Sequence, residues 1–114
     1  MDFSVSPQTQ DLIGKFRAFV KSEVMPLEAR MSEPWAALGP ALRELRAKAK
    51  AAGLWAPQLS RELGGLELPL EEFALVSEEL GRSPLGYYAV NCQAPDSGNM
   101  ELMHQFGTDA QKDR

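Results

Sequence analysis

The run PALRELRAKAKAAGL occupies residues 40–54 and carries the clearest helical pattern in the chain. Pro40 opens it at a first-turn position, where the missing N–H costs nothing. Its apolar residues share one face at helical spacing: Leu42, Leu45 and Ala49. Gly53 supplies a left-handed C-terminal cap, and Leu54 stands where such caps contact the last turn near Ala49. This pattern predicts a helix over 40–52.

The opposite face of this helix is basic, with Arg43, Arg46 and Lys50. A phosphate-binding patch and a solvated surface both fit that pattern. We favour the solvated surface, because the chain as a whole carries a net charge of -4.

Capping and proline signals of the same kind predict a first helix over 7–25. Ser6 is its N-cap and Pro7 its first residue, and Pro26 should end or kink it near Val24. The apolar stripe consists of Leu12, Ile13, Phe16, Phe19, Val20 and Val24. Residues 29–39 are interpreted as a connection that Trp35 and Leu38 pin to the core.

Three further helices are predicted at 69–81, 84–93 and 97–106, after a long loop over 56–68 that contains Gly64 and Gly65. The inward residues of the third helix are Phe73, Val76 and Leu80, and those of the fifth are Met100, Met103 and Phe106. No segment alternates with period two. We therefore expect an all-α fold, an antiparallel helical bundle of about five helices in one domain.

Composition excludes several classes of function. The chain has 114 residues, a pI near 5.0 and 44% hydrophobic residues, which is the composition of one globular domain. An acidic surface disfavours nucleic acid and anionic membranes. No apolar run approaches the length of a membrane span, and the N-terminus lacks a leader, so a cytoplasmic location without membrane insertion is expected.

A search for catalytic groups finds none. His104 and Cys92 are the only residues of their types, so a His- or Cys-based metal site is excluded, and each is interpreted as structural or, for His104, solvent-facing. Gly64-Gly65 lacks phosphate-loop spacing. The pairs Glu71-Glu72 and Glu78-Glu79 are interpreted as solvated faces. We expect no catalytic residue, cofactor-binding residue or metal ligand.

The chain ends on a capping box, Thr108-Asp109-Ala110-Gln111, which announces a helix although only three residues follow. The expectation is that the sequence stops inside an element, either at a trimmed domain boundary or in an interrupted reading frame.

Four segments in order resemble the N-terminal domain of the acyl-CoA dehydrogenases over nearly the whole of residues 1–114. They are Phe19-Val20 with Val24-Met25-Pro26-Leu27-Glu28, Gly53-Leu54 with Pro57 and Glu62-Leu63-Gly64-Gly65, Val76-Ser77-Glu78-Glu79-Leu80-Gly81-Arg82, and Gly107-Thr108-Asp109-Ala110-Gln111-Lys112. Residues 91–101 look like a subgroup associated with long, branched or hydroxylated acyl chains.

The resemblance implies a three-part enzyme in which a β-domain holds much of the FAD and a C-terminal helical domain carries the glutamate base. It implies α,β-dehydrogenation of acyl-CoA thioesters, with electrons passing to an electron-transferring flavoprotein. This chain would lack the flavin domain and the base and be inactive alone.

The resemblance also assigns Tyr88 and Cys92 to the far end of the acyl cavity, as substrate-binding residues one helical turn apart. Ordinary core packing is the open alternative for both. For the whole chain, the alternative is a stand-alone helical protein-interaction module without redox activity.

A domain of a larger enzyme should also keep an apolar face for its neighbours. We expect this face around 84–106, with Tyr87, Tyr88, Val90, Met100 and Met103, and expect the isolated chain to form a homo-oligomer.

Overall fold

A computed structural model describes residues 4–113, and this part of the chain is all-helical with no strand. Six α-helices follow one another, two of them a single turn long. They are α1 (Pro7–Phe19), α2 (Trp35–Ala51), α3 (Leu70–Leu80), α4 (Gly86–Ala89), α5 (Asp96–Phe106) and α6 (Asp109–Lys112). The all-α prediction is confirmed.

The start of α1 agrees with the prediction. The Ser6 hydroxyl accepts a hydrogen bond from the Thr9 amide at 3.1 Å, and Pro7 follows at the first helical position. After Phe19 the helix continues as a π-helical turn over Val20–Val24 and a 3-10 segment over Met25–Arg30. The change of helix type comes directly before Pro26, which cannot donate the α-helical bond.

The predicted start of α2 is wrong. The helix begins at Trp35, because the Pro34 carbonyl accepts from the amides of Ala37 and Leu38 at 2.9 and 3.1 Å. Pro40 therefore lies inside the helix. Its missing N–H leaves the carbonyl four residues earlier without a helical partner, but Ala36 is exposed and water can serve that group.

The C-terminal end of α2 agrees with the prediction. Gly53 is left-handed with φ +70°, and its amide donates to the Lys50 carbonyl at 3.1 Å. The Leu54 amide donates to the Ala49 carbonyl at 3.0 Å, and the Leu54 side chain is buried. These two bonds are those of a Schellman motif. Of the two residues expected to pin the preceding segment, Leu38 is buried and Trp35 is 64% exposed.

The core lies where α1 and its π-helical extension meet α2, α3 and α4. Its fully buried side chains include Phe16, Val20, Val24, Val76, Leu80 and Val90. Burial of each large apolar side chain contributes about 1.5–3 kcal/mol. Most predicted inward residues of the first and third helices thus form the core, whereas Leu12 and Phe73 are partly buried beside it and Ile13 is half-buried outside the cluster.

The prediction for Glu79 as a solvated residue is wrong. Its side chain is 5% exposed and forms ion pairs with Arg17 of α1 at 2.7 Å and with Arg82 at 2.8 Å. The hydrogen bond and charge of Arg17, with Arg82 adding to them, hold the pKa of Glu79 below its ordinary value. Helix periodicity could not show this, because Arg17 is 62 residues away in sequence.

The predicted fourth helix over 84–93 is mostly absent. Only Gly86–Ala89 is helical, and Asn91 adopts a left-handed conformation with φ +62°. Gly86 lies so close to α3 that a Cβ there would stand 1.9 Å from the Leu80 carbonyl oxygen. Because of this close approach, α4 packs against the C-terminal end of α3.

The fifth helix forms, but its predicted inward residues are wrong. No described residue of α5 is buried, and Phe106 is 76% exposed. The radius of gyration is 15.2 Å, whereas a compact domain of this length has roughly 13 Å. Helix α5 packs mainly on α6 and extends from the core. The exposed apolar face is therefore Leu102, Met103 and Phe106, while Val90 is fully buried.

The loop over 56–68 folds back on itself through main-chain hydrogen bonds. The amides of Leu66, Glu67 and Leu68 donate to the carbonyls of Ala56, Leu59 and Pro57 at 3.3, 2.9 and 3.1 Å. Gly65 fits only because it has no side chain, since a Cβ there would lie 2.1 Å from the Leu59 carbonyl oxygen.

We predict that Gly86→Ala lowers the free energy of unfolding by about 1–3 kcal/mol, because the methyl group overlaps the Leu80 backbone. The matched control is Gly14→Ala, whose methyl group would meet nothing within 4 Å in the middle of α1. That change should instead stabilise the protein by about 0.4–1 kcal/mol. Urea unfolding of both variants measures the difference, and equal effects would contradict the close approach.

Glu79→Gln should lower the free energy of unfolding by roughly 1–3 kcal/mol near neutral pH. The folded pKa of Glu79 lies below the unfolded value of about 4.3. Its contribution is therefore present above that value and is lost as the pH falls through the folded pKa. Urea unfolding at several pH values should show the difference from wild type shrinking in acid. Glu78→Gln is the exposed control and should change little.

Candidate functional site

The candidate site is built on α4 and the turn after it. Ser83 is buried, and its hydroxyl accepts a hydrogen bond from the Leu85 amide at 3.3 Å, which fixes the entry to the helix. The Tyr87 hydroxyl donates to the Ser77 carbonyl of α3 at 3.1 Å. One helical turn is unstable alone. Here the contact of Gly86 with α3 and this tyrosine bond hold it in place.

Tyr88 and Cys92 come together, although not by the geometry expected of them. They do not share a helical face, because α4 ends at Ala89 and Asn91 reverses the chain. The Cys92 amide then donates to the Tyr87 carbonyl at 3.0 Å. Both side chains line one surface pocket of about 510 Å³, whose other lining residues are Pro84, Tyr87, Gln93 and Ala94.

Cys92 is a buried neutral thiol. Burial raises its pKa to about 12, so the thiolate is scarcely populated near neutral pH. Its side chain lies both in the core cluster and at the pocket wall. The geometry agrees with the small buried thiol preferred over a nucleophile.

Tyr88 is contacted from the side of α2 by Arg46. The guanidinium carbon lies 4.8 Å from the centre of the Tyr88 ring and 4.9 Å from the centre of the Trp55 ring. One guanidinium N–H of Arg46 also donates to Oδ1 of Asn91. Lys50 lies over the same Trp55 ring at 4.3 Å. The interpretation of this helix face as solvated is therefore wrong for the half-buried Arg46, whereas Arg43 and Lys50 are exposed as expected.

One sequence signal points to this arrangement, which helix periodicity missed. The Schellman cap turns the chain back after Gly53, so an aromatic residue two positions later returns over the preceding helix. Trp55 occupies that position, nine residues after Arg46. Tyr88 and Asn91 come from a distant segment, and no local pattern places them there.

The loop after α2 is tied to the turn after α4. The Ala56 amide donates to the Val90 carbonyl at 2.7 Å. The side-chain amide of Gln58 donates to the Asn91 carbonyl at 3.3 Å and to the Ser97 hydroxyl at 3.1 Å. The position of Asn91 is thus set from three sides, by the loop, by Arg46 and by its own turn.

A second depression of about 310 Å³ lies on the other side of Asn91. Its walls are Trp55, Leu59, Leu63, Asn91, Met100, Met103, His104 and Lys112. His104, half-buried in this wall, is the only histidine of the chain. The predicted core methionines of α5 therefore line an open depression.

Residues 4–113 contain no cluster of three or more His, Cys, Asp or Glu side chains suited to a metal ion. They also offer no phosphate cradle for a flavin at the glycine loop. The amides of Gly64 and Gly65 donate to the carbonyls of Arg61 and Ser60, both at 3.0 Å, and are not free for a ligand. This glycine loop therefore does not fit the phosphates of FAD.

No helix within the described range is long and apolar enough to cross a membrane.

Comparison with known proteins identifies the family. Residues 6–114 match the family described as acyl-CoA dehydrogenase, N-terminal domain. The chain is 38% identical to an acyl-CoA dehydrogenase of Mycobacterium tuberculosis, FadE2, over 98% of its length and 29% of the relative's. It is 36% identical to acyl-CoA dehydrogenase family member 11 of Gallus gallus, over 96% of its length and 15% of the relative's.

A solved structure described as an acyl-CoA dehydrogenase from Mycobacterium abscessus superposes with a TM-score of 0.81 at 38% sequence identity. The superposition covers 97% of this chain and 31% of that one. The chain thus spans less than a third of the length of these relatives. Sequence profile, relatives and fold agree that it belongs to the acyl-CoA dehydrogenase N-terminal domain family.

Proposed function

We propose that this chain supplies part of the acyl-chain pocket of a flavin-dependent acyl-CoA dehydrogenase, with Tyr88 and Cys92 as substrate-binding residues. The observation that carries the proposal is the pocket beside α4, whose wall contains both residues. The substrate class follows from the names of the relatives, which are acyl-CoA dehydrogenases.

The chemistry of the pocket wall suits a hydrocarbon chain. Pro84, Ala94 and the two tyrosine rings present apolar surface, and the raised pKa of Cys92 keeps its thiol uncharged. No Asp, Glu, Lys, Arg or His is among the lining residues described. A wall of this kind recognises an acyl tail by shape and by burial of its methylene groups, each contributing about 0.8 kcal/mol.

The chemical step belongs to other parts of the proposed enzyme. FAD would supply the hydride acceptor for α,β-dehydrogenation, and an electron-transferring flavoprotein would receive the electrons. This chain's role is to bind and orient the acyl tail. The exposed face of α5, formed by Leu102, Met103 and Phe106, supports the further proposal that the protein is a homo-oligomer.

The role of the pocket in binding the acyl tail can be tested in a chimera. In this chimera, residues 6–113 replace the matching domain of the Mycobacterium abscessus enzyme. Tyr88→Ala enlarges the pocket and should shift the ratio of kcat/KM between a longer and a shorter straight-chain acyl-CoA by about tenfold or more towards the longer one. Steady-state assays with acyl-CoA substrates of graded length measure the shift.

The matched control is Trp35→Ala, which removes an exposed aromatic side chain from α2 outside the pocket. Its chain-length profile should equal that of the unmodified chimera. If the Tyr88 and Trp35 variants have identical chain-length profiles, the pocket does not bind the acyl tail and the proposal is refuted.

The isolated chain should be inactive, because we assign the flavin site and the base to other domains. Purified alone, it should show no flavin absorbance and should reduce no electron acceptor when given acyl-CoA and added FAD. Copurification of stoichiometric FAD with the monomer would overturn this part of the proposal.

A further inference from the structure

Arg46 has an unusual set of contacts for a residue on an exposed basic helix face. Its guanidinium lies over Tyr88 and Trp55 at 4.8 and 4.9 Å and donates to the Asn91 side chain. It makes no ion pair with any carboxylate of the part of the chain that the structure describes. Its orientation is thus set by two aromatic rings and one amide.

These contacts join four segments of the chain, of which two, α4 and the turn after it, line the pocket. Arg46 lies on α2, Trp55 in the irregular segment after the α2 cap, Tyr88 on α4, and Asn91 in the turn that leads to Cys92. Asn91 in turn donates to the Met100 sulfur of α5 at 3.4 Å. Removal of Arg46 would take away the contact of the Tyr88 ring with α2 and one of the contacts that hold Asn91.

The neighbouring arginine shows that this is not a general property of the helix face. Arg43 lies one turn earlier, is exposed, and takes part in none of these ring, amide or ion-pair contacts. Arg46 is half-buried, and a cation over an aromatic ring gains strength as water is excluded. A lysine at the same position would keep the charge but could not reproduce the planar guanidinium with its directed N–H groups.

We propose that Arg46 is a positioning residue for acyl-chain specificity, which holds the Tyr88 ring in its place in the pocket wall that also contains Cys92. This rests on the proposed function of the pocket. Arg46 is not among the pocket-lining residues, so it acts through Tyr88 and Asn91 rather than by touching substrate.

Cys92 is a built-in probe for this role, because it is the only cysteine and lies in the same pocket wall. The reaction of its thiol with a chromogenic disulfide reagent reports how often the wall opens. In the native 114-residue chain, Arg46→Met should accelerate this reaction roughly tenfold, the effect of losing a partly buried cation–π pair. Arg46→Lys should give an intermediate rate, and the control Arg43→Met should react like wild type.

A double-mutant cycle separates positioning from general destabilisation. If Arg46 acts through the Tyr88 ring, Arg46→Met should add little to the thiol rate in a Tyr88→Leu background. Thermal melts of each variant identify any that fail to fold, and Arg46→Lys and Tyr88→Phe then serve as the milder pair. Equal thiol rates for the Arg46 and Arg43 variants, or full additivity with Tyr88→Leu, would overturn the proposal.

The chimera described above separates this inference from the proposed function. Arg46→Met should shift its chain-length profile in the same direction as Tyr88→Ala, by a smaller factor. A faster thiol reaction with a chain-length profile unchanged in both the Arg46→Met and the Tyr88→Ala chimeras would mean that Arg46 positions Tyr88 but the pocket does not bind the acyl tail, whereas a profile changed only by Tyr88→Ala would overturn the role of Arg46 and keep the proposed function. The first of these results would refute the role of Arg46 in acyl-chain specificity, but not its role in positioning Tyr88.

Discussion

The approach of α4 to the end of α3 is the constraint on which the candidate pocket depends. The α4 backbone can lie against the Leu80 carbonyl only because residue 86 is glycine. Once seated there, α4 brings the Tyr87 hydroxyl to α3 and turns the Tyr88 ring towards Arg46. Burial of the apolar core stabilises the helices, but this single close approach decides where the pocket wall stands.

The predictions that succeeded concern features decided by near neighbours in the sequence. Ser6 caps α1 through an amide three residues away, and the Gly53 cap returns Leu54 to the last turn of α2. The predictions that failed concern partners distant in sequence. Glu79 is buried because Arg17, 62 residues away in sequence, meets it from another helix. The start of α2 is an exception, because the helix start at Pro34 that places Pro40 inside the helix rests on local hydrogen bonds.

The site was predictable only in part, for the same reason. The family resemblance named Tyr88 and Cys92, and the structure brings them to one pocket, yet through a left-handed turn at Asn91 rather than along a helix. Their role as substrate-binding residues stays a prediction. The contacts of Arg46 could not be predicted from the sequence. A basic helix face indicates exposure to solvent unless the aromatic rings that pack against it are known.

The main-chain bonding of the loop over 56–68 has an evolutionary consequence. Its path is held by amides and carbonyls and by the missing Cβ of Gly65, so it does not depend on the identity of its exposed side chains. Arg61 projects from this frame, and its side chain is 81% exposed. Substitutions there can accumulate without moving Trp55 away from Arg46. The domain can thus acquire new surface chemistry by neutral drift while its pocket keeps its shape.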